Sequence, residues 1–266
     1  MSEPVLKVSD LSVVADGLPV LEAISFEVAA DGVVAIAGEP GSGKSLVVLA
    51  ILGLTHEPGV EVGGEVIFAG RDLIGLSDPA LRAIRGEGIG LAFEDPLSSL
   101  HPCRRLGVQM VEAIRVHHPV GEMAARDRSI ELLEAVGAEL AHVIVDRYPH
   151  ELTTLDLRRA SLAIALANGP QLLIADEPTG GLEEPEAAAI EALLRELRCA
   201  VIVTTPDRVL AARLADEMLT LEDGRITERL RRHQPEETAA APEPESVRVR
   251  ARRGGLLGRW RGRRRS

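Results

Sequence analysis

The chain has 266 residues, of which 45% are hydrophobic but only 2% aromatic, and a formal net charge of −11. This length suits one large α/β domain with room for an inserted subdomain, and its core must be built from Ala, Val, Leu and Ile. No apolar run approaches the roughly 20 residues of a membrane-spanning helix, Met1 to Val8 lacks the pattern of a secretory signal, and Cys103 and Cys199 have no metal-ligand spacing. We therefore expect a reduced, cytosolic protein.

The sequence of the N-terminal region predicts an antiparallel sheet. Clusters of β-forming residues surround the turn signals Asp16-Gly17 and Asp31-Gly32, and they predict strands over Val5 to Val8, Leu11 to Val14 and Ile24 to Val28. A further strand is predicted over Gly64 to Phe68.

The middle of the chain changes to a helical period. A short buried strand is predicted over Ile89 to Phe93, and the polar, proline-punctuated segment 94–102 is predicted to be a loop. From Leu106 to about Ala167 the apolar residues have helical spacing, which indicates a helical subdomain over about 104–167.

The last third alternates strands and helices. Leu172 to Ala175 and Val201 to Thr204 are predicted strands, and Glu184 to Leu197 and Arg208 to Leu214 are predicted helices. A hairpin follows across Asp223-Gly224. Such alternation is typical of a parallel sheet with crossover helices.

A complete phosphate-binding motif lies between a predicted strand and a predicted helix. Residues 38–45 read Gly-Glu-Pro-Gly-Ser-Gly-Lys-Ser, after the apolar strand Val33 to Ala37 and before the apolar helix Leu46 to Leu54. The glycines allow backbone N–H groups to turn towards phosphates. Lys44 is placed to reach the β- and γ-phosphates, and Ser45 offers a hydroxyl to Mg²⁺. The predicted nucleotide-binding residues are Gly38, Gly41, Ser42, Gly43, Lys44 and Ser45.

Two adjacent acids end a second apolar strand. Asp176 follows Leu172 to Ala175 and suits indirect support of Mg²⁺ through Ser45 and water. Glu177, directly after it, is the candidate general base that polarises the attacking water. Adjacent acids at a strand end are also common in solvated turns, but the phosphate loop favours the catalytic interpretation.

The chain resembles the ATP-binding subunits of ABC transporters, and in particular the dipeptide/oligopeptide and nickel importer group. The resemblance spans about Val5 to Glu228, and four segments in order carry it: 38–45, 95–103 (Asp-Pro-Leu-Ser-Ser-Leu-His-Pro-Cys), 148–152 (Tyr-Pro-His-Glu-Leu) and 172–179 (Leu-Leu-Ile-Ala-Asp-Glu-Pro-Thr).

The resemblance implies a P-loop NTPase of ABC type, with a parallel core sheet, an N-terminal antiparallel β subdomain and an inserted helical subdomain. It also implies Mg-ATP as cofactor, bound head to tail between two ATP-binding subunits. Each ATP would lie between one subunit's phosphate loop and the other's signature segment. The loop after Phe93 would face membrane-spanning permease subunits.

This sequence departs from the family where residues act on the γ-phosphate. The family's Ser-Gly-Gly-Gln/Met after Leu152 is replaced by Thr153, Thr154, Leu155 and Asp156, which adds side chains and a negative charge where a backbone should approach phosphate. The expected histidine after Thr205 is Pro206, which has no donor.

Three further positions differ from the family pattern. The expected glutamine after Phe93 is Glu94, which could still contact Mg²⁺, so the predicted metal-supporting residues are Ser45, Asp176 and Glu94. The expected aspartate after Leu182 is Glu183, a longer acid. Ala15 occupies the likely place of an adenine-stacking aromatic residue.

The C-terminal segment has its own composition. Residues 235–246 are rich in Pro, Glu and Ala, and residues 247–266 contain nine arginines and no acid, so residues 1–246 hold 21 basic against 41 acidic residues. The segment predicts a disordered linker and an Arg-rich tail over 233–266. The tail suits contact with anionic lipid, contact with nucleic acid or simple solvation; an acidic body gives no reason to expect a specific nucleic-acid partner.

The sequence therefore predicts an ATP-binding subunit of a peptide- or nickel-type importer, over residues 1–232, with impaired hydrolysis. A heterodimer with an intact homologue is favoured over a homodimer, and the location would be peripheral, on the inner face of the cell membrane. The alternative is a soluble regulatory or scaffolding ATP-binding protein.

Overall fold

A computed structural model describes residues 3–55 and 58–232, so the predicted linker and Arg-rich tail lie outside the described residues. The fold has two sheets. The first is antiparallel with strand order β2-β1-β4-β5, and its strands are β1 Leu6–Ala15, β2 Leu18–Val28, β4 Val60–Phe68 and β5 Arg71–Asp72.

The second sheet has six strands in the order β10-β9-β3-β8-β7-β6. Its strands are β3 Val33–Ala37, β6 Ile89–Ala92, β7 Leu172–Asp176, β8 Ala200–Thr205, β9 Glu217–Glu222 and β10 Arg225–Arg231. All neighbours pair in parallel except the β9–β10 hairpin. The parallel core and the separate antiparallel sheet confirm the fold class predicted from the sequence.

Nine α-helices and one 3₁₀ helix lie within the described residues. They are α1 Lys44–Ile51, α2 Asp78–Ile84, α3 Pro96–Ser99, α4 Leu106–His117, α5 Glu122–Ala135, α6 Ala141–Ile144, the 3₁₀ helix Pro149–Glu151, α7 Thr154–Ala165, α8 Glu184–Glu196 and α9 Arg208–Leu214. Helices α3 to α7 all fall between β6 and β7. No helix in the described ranges is both long and apolar enough to cross a bilayer.

Strands β2 and β4 begin earlier than the strands predicted over Ile24 to Val28 and Gly64 to Phe68, and two further elements differ in kind from the sequence predictions. The separate strands predicted over Val5 to Val8 and Leu11 to Val14 form one strand, β1, because Asp10 takes a left-handed φ of 50° and the register shifts between Val8 and Leu11. A bulge of this kind accommodates an extra residue without ending the ladder. The loop predicted over 94–102 contains the short helix α3, whose N-cap Asp95 accepts hydrogen bonds from the amides of Leu97 and Ser98.

The core is almost entirely aliphatic, as the 2% aromatic content requires. One buried cluster joins the antiparallel sheet to α1 and one face of the six-stranded sheet, with Leu6, Leu21, Ile36 and Ile51 fully or nearly fully buried. A second cluster joins helices α4, α5 and α7 to β7 and β8.

The strand order brings the predicted site residues together at the carboxyl ends of the central parallel strands. Strand β8 lies between β3 and β7, with Ala37 opposite Thr205 and Asp176 opposite Thr204. The carboxyl ends of three adjacent parallel strands therefore meet at the start of α1, which is where ligands bind in open α/β sheets.

Candidate nucleotide-binding site

The phosphate loop is a tight backbone turn that ends in a buried lysine. Lys44 is only 4% exposed, and its Nζ donates to the carbonyl oxygens of Gly38 over 2.8 Å and Glu39 over 3.1 Å. Its charge also lies 3.4 Å from a carboxylate oxygen of Glu177. The ammonium is thus held at the mouth of the loop, beside the candidate general base.

Two features of the loop fit a phosphate group. Gly43 has a left-handed φ of 104° at the N-cap of α1, a conformation that glycine adopts without strain, and it brings the loop to the helix N-terminus. Ser42 Oγ is one of three buried side-chain polar atoms without a partner among the described residues. A buried hydroxyl of this kind is expected to have a hydrogen-bond partner, which a phosphate oxygen could provide.

Gly38 is required because of close packing. A Cβ at this position would lie 2.3 Å from the carbonyl oxygen of Leu221 and 2.6 Å from Ser42 Oγ. The first contact is with backbone that cannot easily move, so any side chain at residue 38 would displace the loop from β9.

Asp176 and Glu177 lie at the carboxyl end of β7, next to the loop. Ser45 Oγ and Asp176 Oδ1 are 3.5 Å apart, which is too long for a strong hydrogen bond between them. The spacing suits two groups that support a metal ion, with Asp176 acting indirectly. Asp176 is 9% exposed and its Oδ1 also accepts a hydrogen bond from the hydroxyl of Thr204. The carboxylate is therefore oriented from the neighbouring strand.

The backbone of Glu177 is unusual. Its φ is 44°, in the left-handed region that costs a non-glycine residue energy and is frequent at functional sites. Its amide donates to Thr204, to Oγ1 over 3.0 Å and to the carbonyl oxygen over 3.1 Å. These bonds from β8 hold the turn that points the Glu177 side chain towards Lys44.

Glu94 belongs electrostatically to the same site. Glu94 is largely exposed, but partial desolvation raises the pKa of its carboxyl, and the charges of Glu177 and Asp176 raise it further, while Lys44 and Arg158 act in the opposite direction. A group surrounded in this way is stabilised in its charged form by an added cation.

Residues 153–156, which stand in place of the family's signature segment, form hydrogen bonds with one another. Thr153 is the N-cap of α7, and its Oγ1 accepts from the amide of Asp156 over 3.1 Å and donates to the Asp156 carboxylate over 2.8 Å. Thr154 begins the helix, and Leu155 packs partly against the helical core. The described residues show no hydrogen bond or ion pair between this segment and the phosphate loop.

Pro206 lies beside the phosphate loop but offers no hydrogen-bond donor. The preceding residue, Thr205, accepts a hydrogen bond from the amide of Gly38 over 3.2 Å, so Pro206 emerges next to the loop, where it is exposed. Glu183 is the N-cap of α8, and its amide donates to Glu186 over 3.2 Å. Ala15 lies partly exposed at the end of β1.

The structure thus brings together Lys44, Ser45, Asp176, Glu177 and the charge of Glu94. Two residues of the site were not identified from the sequence. Thr204 was treated only as part of a strand, although its place at the carboxyl end of a strand between β3 and β7 could have indicated it. Arg158 was also missed, because its burial and its contacts with residues distant in sequence are visible only in the structure.

Comparison with known proteins agrees with this geometry. Residues 21–180 match the family model for ABC transporters, which is more than half of the chain. The chain belongs to the ABC transporter family. Mg-ATP is the cofactor of that family, and the loop geometry fits it.

Several relatives carry peptide-transport or peptide-import names. The chain is 42% identical over 234 residues to the oligopeptide transport ATP-binding protein OppD of Mycobacterium tuberculosis. The matched region covers 85% of this chain and 38% of that protein. It is 37% identical over 233 residues to a putative peptide import ATP-binding protein of Brucella abortus, covering 85% and 70%. This chain therefore spans well under half the length of the mycobacterial relative.

Solved structures show the same fold. The dimeric ATP-binding cassette MJ0796, in a post-hydrolysis state bound to ADP and Pi, matches with a TM-score of 0.76 and 25% sequence identity. The match covers 85% of this chain and 98% of that one. The ABC ATPase cassette predicted from the sequence is confirmed.

Proposed function

We propose that this chain is the ATP-binding subunit of an importer for peptides or nickel-like substrates, that it binds Mg-ATP at the interface of a dimer, and that it hydrolyses ATP weakly. The observation that carries the proposal is the convergence of Lys44, Ser45, Asp176 and Glu177 at the end of the parallel sheet. The peptide-import relatives support the substrate class.

ATP binding would rely on the residues that keep the family pattern, which are the phosphate loop 38–45 and Asp176. The glycines at 38, 41 and 43 and the amides at the start of α1 would surround the phosphates, with Ser42 Oγ and Lys44 Nζ as side-chain donors. Mg²⁺ supplies charge neutralisation on the β- and γ-phosphates when it is bound. The Ser45 hydroxyl and the Asp176 carboxylate would hold it, and Glu94 would add a second carboxylate nearby.

Hydrolysis is expected to be weak because two transition-state contacts are missing. Glu177 is well placed to accept a proton from water, but Pro206 offers no donor to the γ-phosphate in place of histidine. The loss of one oriented contact typically lowers a rate by about 10²–10³. In the site that this chain completes on a partner, Asp156 would bring a carboxylate towards an anion.

These defects favour pairing with a different subunit. A homodimer would contain both defects in both sites, whereas a heterodimer with an intact homologue would separate them between two sites. We propose that the chain binds ATP tightly enough to close such a dimer, with the signature segment and Glu183 facing the partner.

Contact with a permease is supported by an apolar groove beside Phe93. The groove has a volume of about 280 Å³ and is lined mainly by apolar side chains, including the exposed Leu54, Phe93 and Val116. Exposed apolar surface of this kind is typical of protein interfaces. The chain would thereby be held peripherally on the inner face of the cell membrane, from the cytoplasmic side.

We further propose residues 1–232 as the ATP-binding domain, with a helical subdomain over about 104–167. The Arg-rich tail would contact anionic lipid. The alternative function is that of a soluble regulatory or scaffolding protein. The missing γ-phosphate contacts are the reason to consider it, because they would leave a module that binds ATP without driving transport.

The test is co-purification from membranes, with the full chain tagged and the bound proteins identified. Recovery of a permease together with a second ATP-binding subunit is expected. A matched variant, Phe93→Ser with Val116→Ser, should lose the permease but keep ATP binding. Repeated recovery of the chain without any permease would instead support the regulatory alternative.

A further inference from the structure

A buried arginine on α7 connects the segment that carries Glu94 with the segment that carries Glu177 and Gly180. Arg158 is on the second turn of α7 and is 9% exposed. Its guanidinium donates to the carbonyl oxygen of Gly180 over 2.6 Å from Nη2 and 3.2 Å from Nε, and Nη1 donates to the carbonyl oxygen of Glu94. One side chain therefore fixes two loops that are 86 residues apart in sequence.

On one side the guanidinium supports the turn that carries Glu177. The amide of Gly180 donates to the carbonyl oxygen of Glu177 over 3.0 Å, which closes a turn over residues 177–180. Thr204 holds the other end of the same turn through the Glu177 amide. The left-handed backbone of Glu177 is thus fixed between β8 and the arginine, which is the kind of surrounding that a strained residue needs.

On the other side the guanidinium holds the backbone of Glu94. Because the bond is to the carbonyl oxygen, it fixes where the residue lies while leaving the carboxylate free. Burial lowers the pKa of Arg158, but the charges of Glu94, Asp95, Glu177 and Asp176 counteract this effect. The positive charge therefore offsets part of the repulsion among the acids.

We propose that Arg158 is a positioning residue that sets Glu94 and Glu177 relative to each other and joins both to the signature helix α7. This inference rests on the proposed function for the roles of the two acids. Movement of α7 on a partner's nucleotide would then be transmitted by Arg158 to Glu94 and to the turn that carries Glu177. The fork of a guanidinium is required, because a lysine would keep the charge but could not span the two carbonyls.

The first experiment measures hydrogen exchange in the full chain without nucleotide. Arg158→Lys and Arg158→Gln should accelerate exchange in two segments together, 94–100 and 177–183, by about tenfold or more, as expected when hydrogen bonds from a charged group are lost. The neighbouring Arg159 provides the matched control, and Arg159→Gln should leave both segments unchanged. Acceleration in only one segment, or a uniform acceleration throughout the chain, would overturn the proposal.

A second variant leaves the arginine in place. A Cβ on Gly180 would lie 2.9 Å from Arg158 Nη2, and the end of that flexible side chain can shift, so Gly180→Ala should displace the guanidinium while the fold is kept. It should reproduce the joint acceleration of the two segments. If Gly180→Ala exchanges like the wild type in both segments, the proposed connection is wrong.

A third measurement separates positioning from general stability. Mn²⁺ titrated into the ATP-bound chain and followed by electron paramagnetic resonance should bind about tenfold more weakly in Arg158→Gln, while ATP affinity in EDTA stays near wild type. Equal Mn²⁺ affinity would count against a positioning role. If the wild-type chain bound no ATP at all, the proposed function would fail, and the exchange experiment alone would decide the role of Arg158.

Discussion

The Thr153 hydroxyl donates to the Asp156 carboxylate over 2.8 Å, and the Asp156 amide donates back to the same hydroxyl over 3.1 Å. This reciprocal pair caps α7 at the position where an ABC subunit presents its signature segment. The hydroxyl that would approach a partner's γ-phosphate is thereby engaged by a carboxylate of its own helix. A negative charge in the first turn also stabilises the helix, so the arrangement favours folding at the expense of anion binding.

Restoring the signature segment and the missing histidine should act cooperatively. One variant repairs the signature segment through four substitutions, Thr153→Ser, Thr154→Gly, Leu155→Gly and Asp156→Gln. The other variant is Pro206→His. In a homodimer, each variant would repair one of the two defects in every ATP site. Each alone should change Mg-ATP turnover little, and together they should raise it by about 10²-fold or more, because the contacts act on the same phosphate. Steady-state phosphate release by the four proteins measures this cycle.

Asp156→Asn is the control for this experiment, because it removes the charge without opening the backbone. It should cost about 0.3–1 kcal/mol of helix stabilisation and give no gain in turnover. The proposed division of defects would be contradicted if either repair alone restored full turnover, or if the double repair gave no more than the product of the two single effects.

The hydroxyl of Thr204 should be needed for metal binding. Thr204 is fully buried and its Oγ1 bonds to both Asp176 and the Glu177 amide. Thr204→Val keeps the shape but loses these bonds, which should cost about 1–3 kcal/mol of folding stability and reduce the Mg²⁺-dependent gain in ATP affinity. Thr204→Ser should retain most of that gain. ATP titrations with and without Mg²⁺, beside urea unfolding, test this; equal behaviour of the two variants would exclude the hydroxyl's role.

Glu94 should make stability depend on pH in a defined direction. Because the pKa of Glu94 is raised in the folded chain by burial and by Glu177 and Asp176, its charged form is disfavoured in the fold. Ionisation of Glu94 therefore lowers the free energy of unfolding. This loss is complete above the pKa of Glu94 in the folded chain, and it disappears as the pH falls below the pKa in the unfolded chain, which is about 4.3. Glu94→Gln should therefore raise the thermal midpoint at neutral pH and have no such effect at acidic pH.

Mg-ATP should reduce the benefit of Glu94→Gln, because a nearby cation stabilises the charged carboxylate. Calorimetry over a pH series, with and without Mg-ATP, measures both effects. Glu61→Gln, at an exposed position on β4, is the matched control and should show neither. A stability gain for Glu94→Gln that grows as pH falls would refute the assignment.

The two cysteines should differ sharply in reactivity. Burial raises the pKa of the Cys199 thiol to about 11, whereas Cys103 is exposed in the segment after α3. Because the thiolate is the reactive form, maleimide at neutral pH should label Cys103 rapidly and Cys199 only after unfolding. Mass spectrometry of the labelled peptides separates the two sites, with Cys103→Ser as control. Equal labelling rates for Cys103 and Cys199 in the folded chain would contradict this prediction.

The sequence was most informative where a motif fixes both chemistry and local structure. The phosphate loop, the strand that ends at Asp176 and helix α9 were predicted close to their observed bounds, because glycines and apolar periods specify them locally. The continuous strand β1 was not predicted, since a bulge at Asp10 depends on pairing with two neighbouring strands. Thr204 and Arg158 were missed for a similar reason: their importance comes from contacts with residues distant in sequence.

The most direct test of the central claim is Mg-ATP turnover by the purified chain, with nucleotide binding followed in the same samples and Lys44→Ala as the reference. We predict that the wild type binds ATP, that Lys44→Ala loses most of this affinity, and that phosphate release by the wild type is slow and only slightly above that of Lys44→Ala. Rapid turnover that depends on Lys44 would contradict the account, because the Thr153 to Asp156 segment and Pro206 would then not impair hydrolysis.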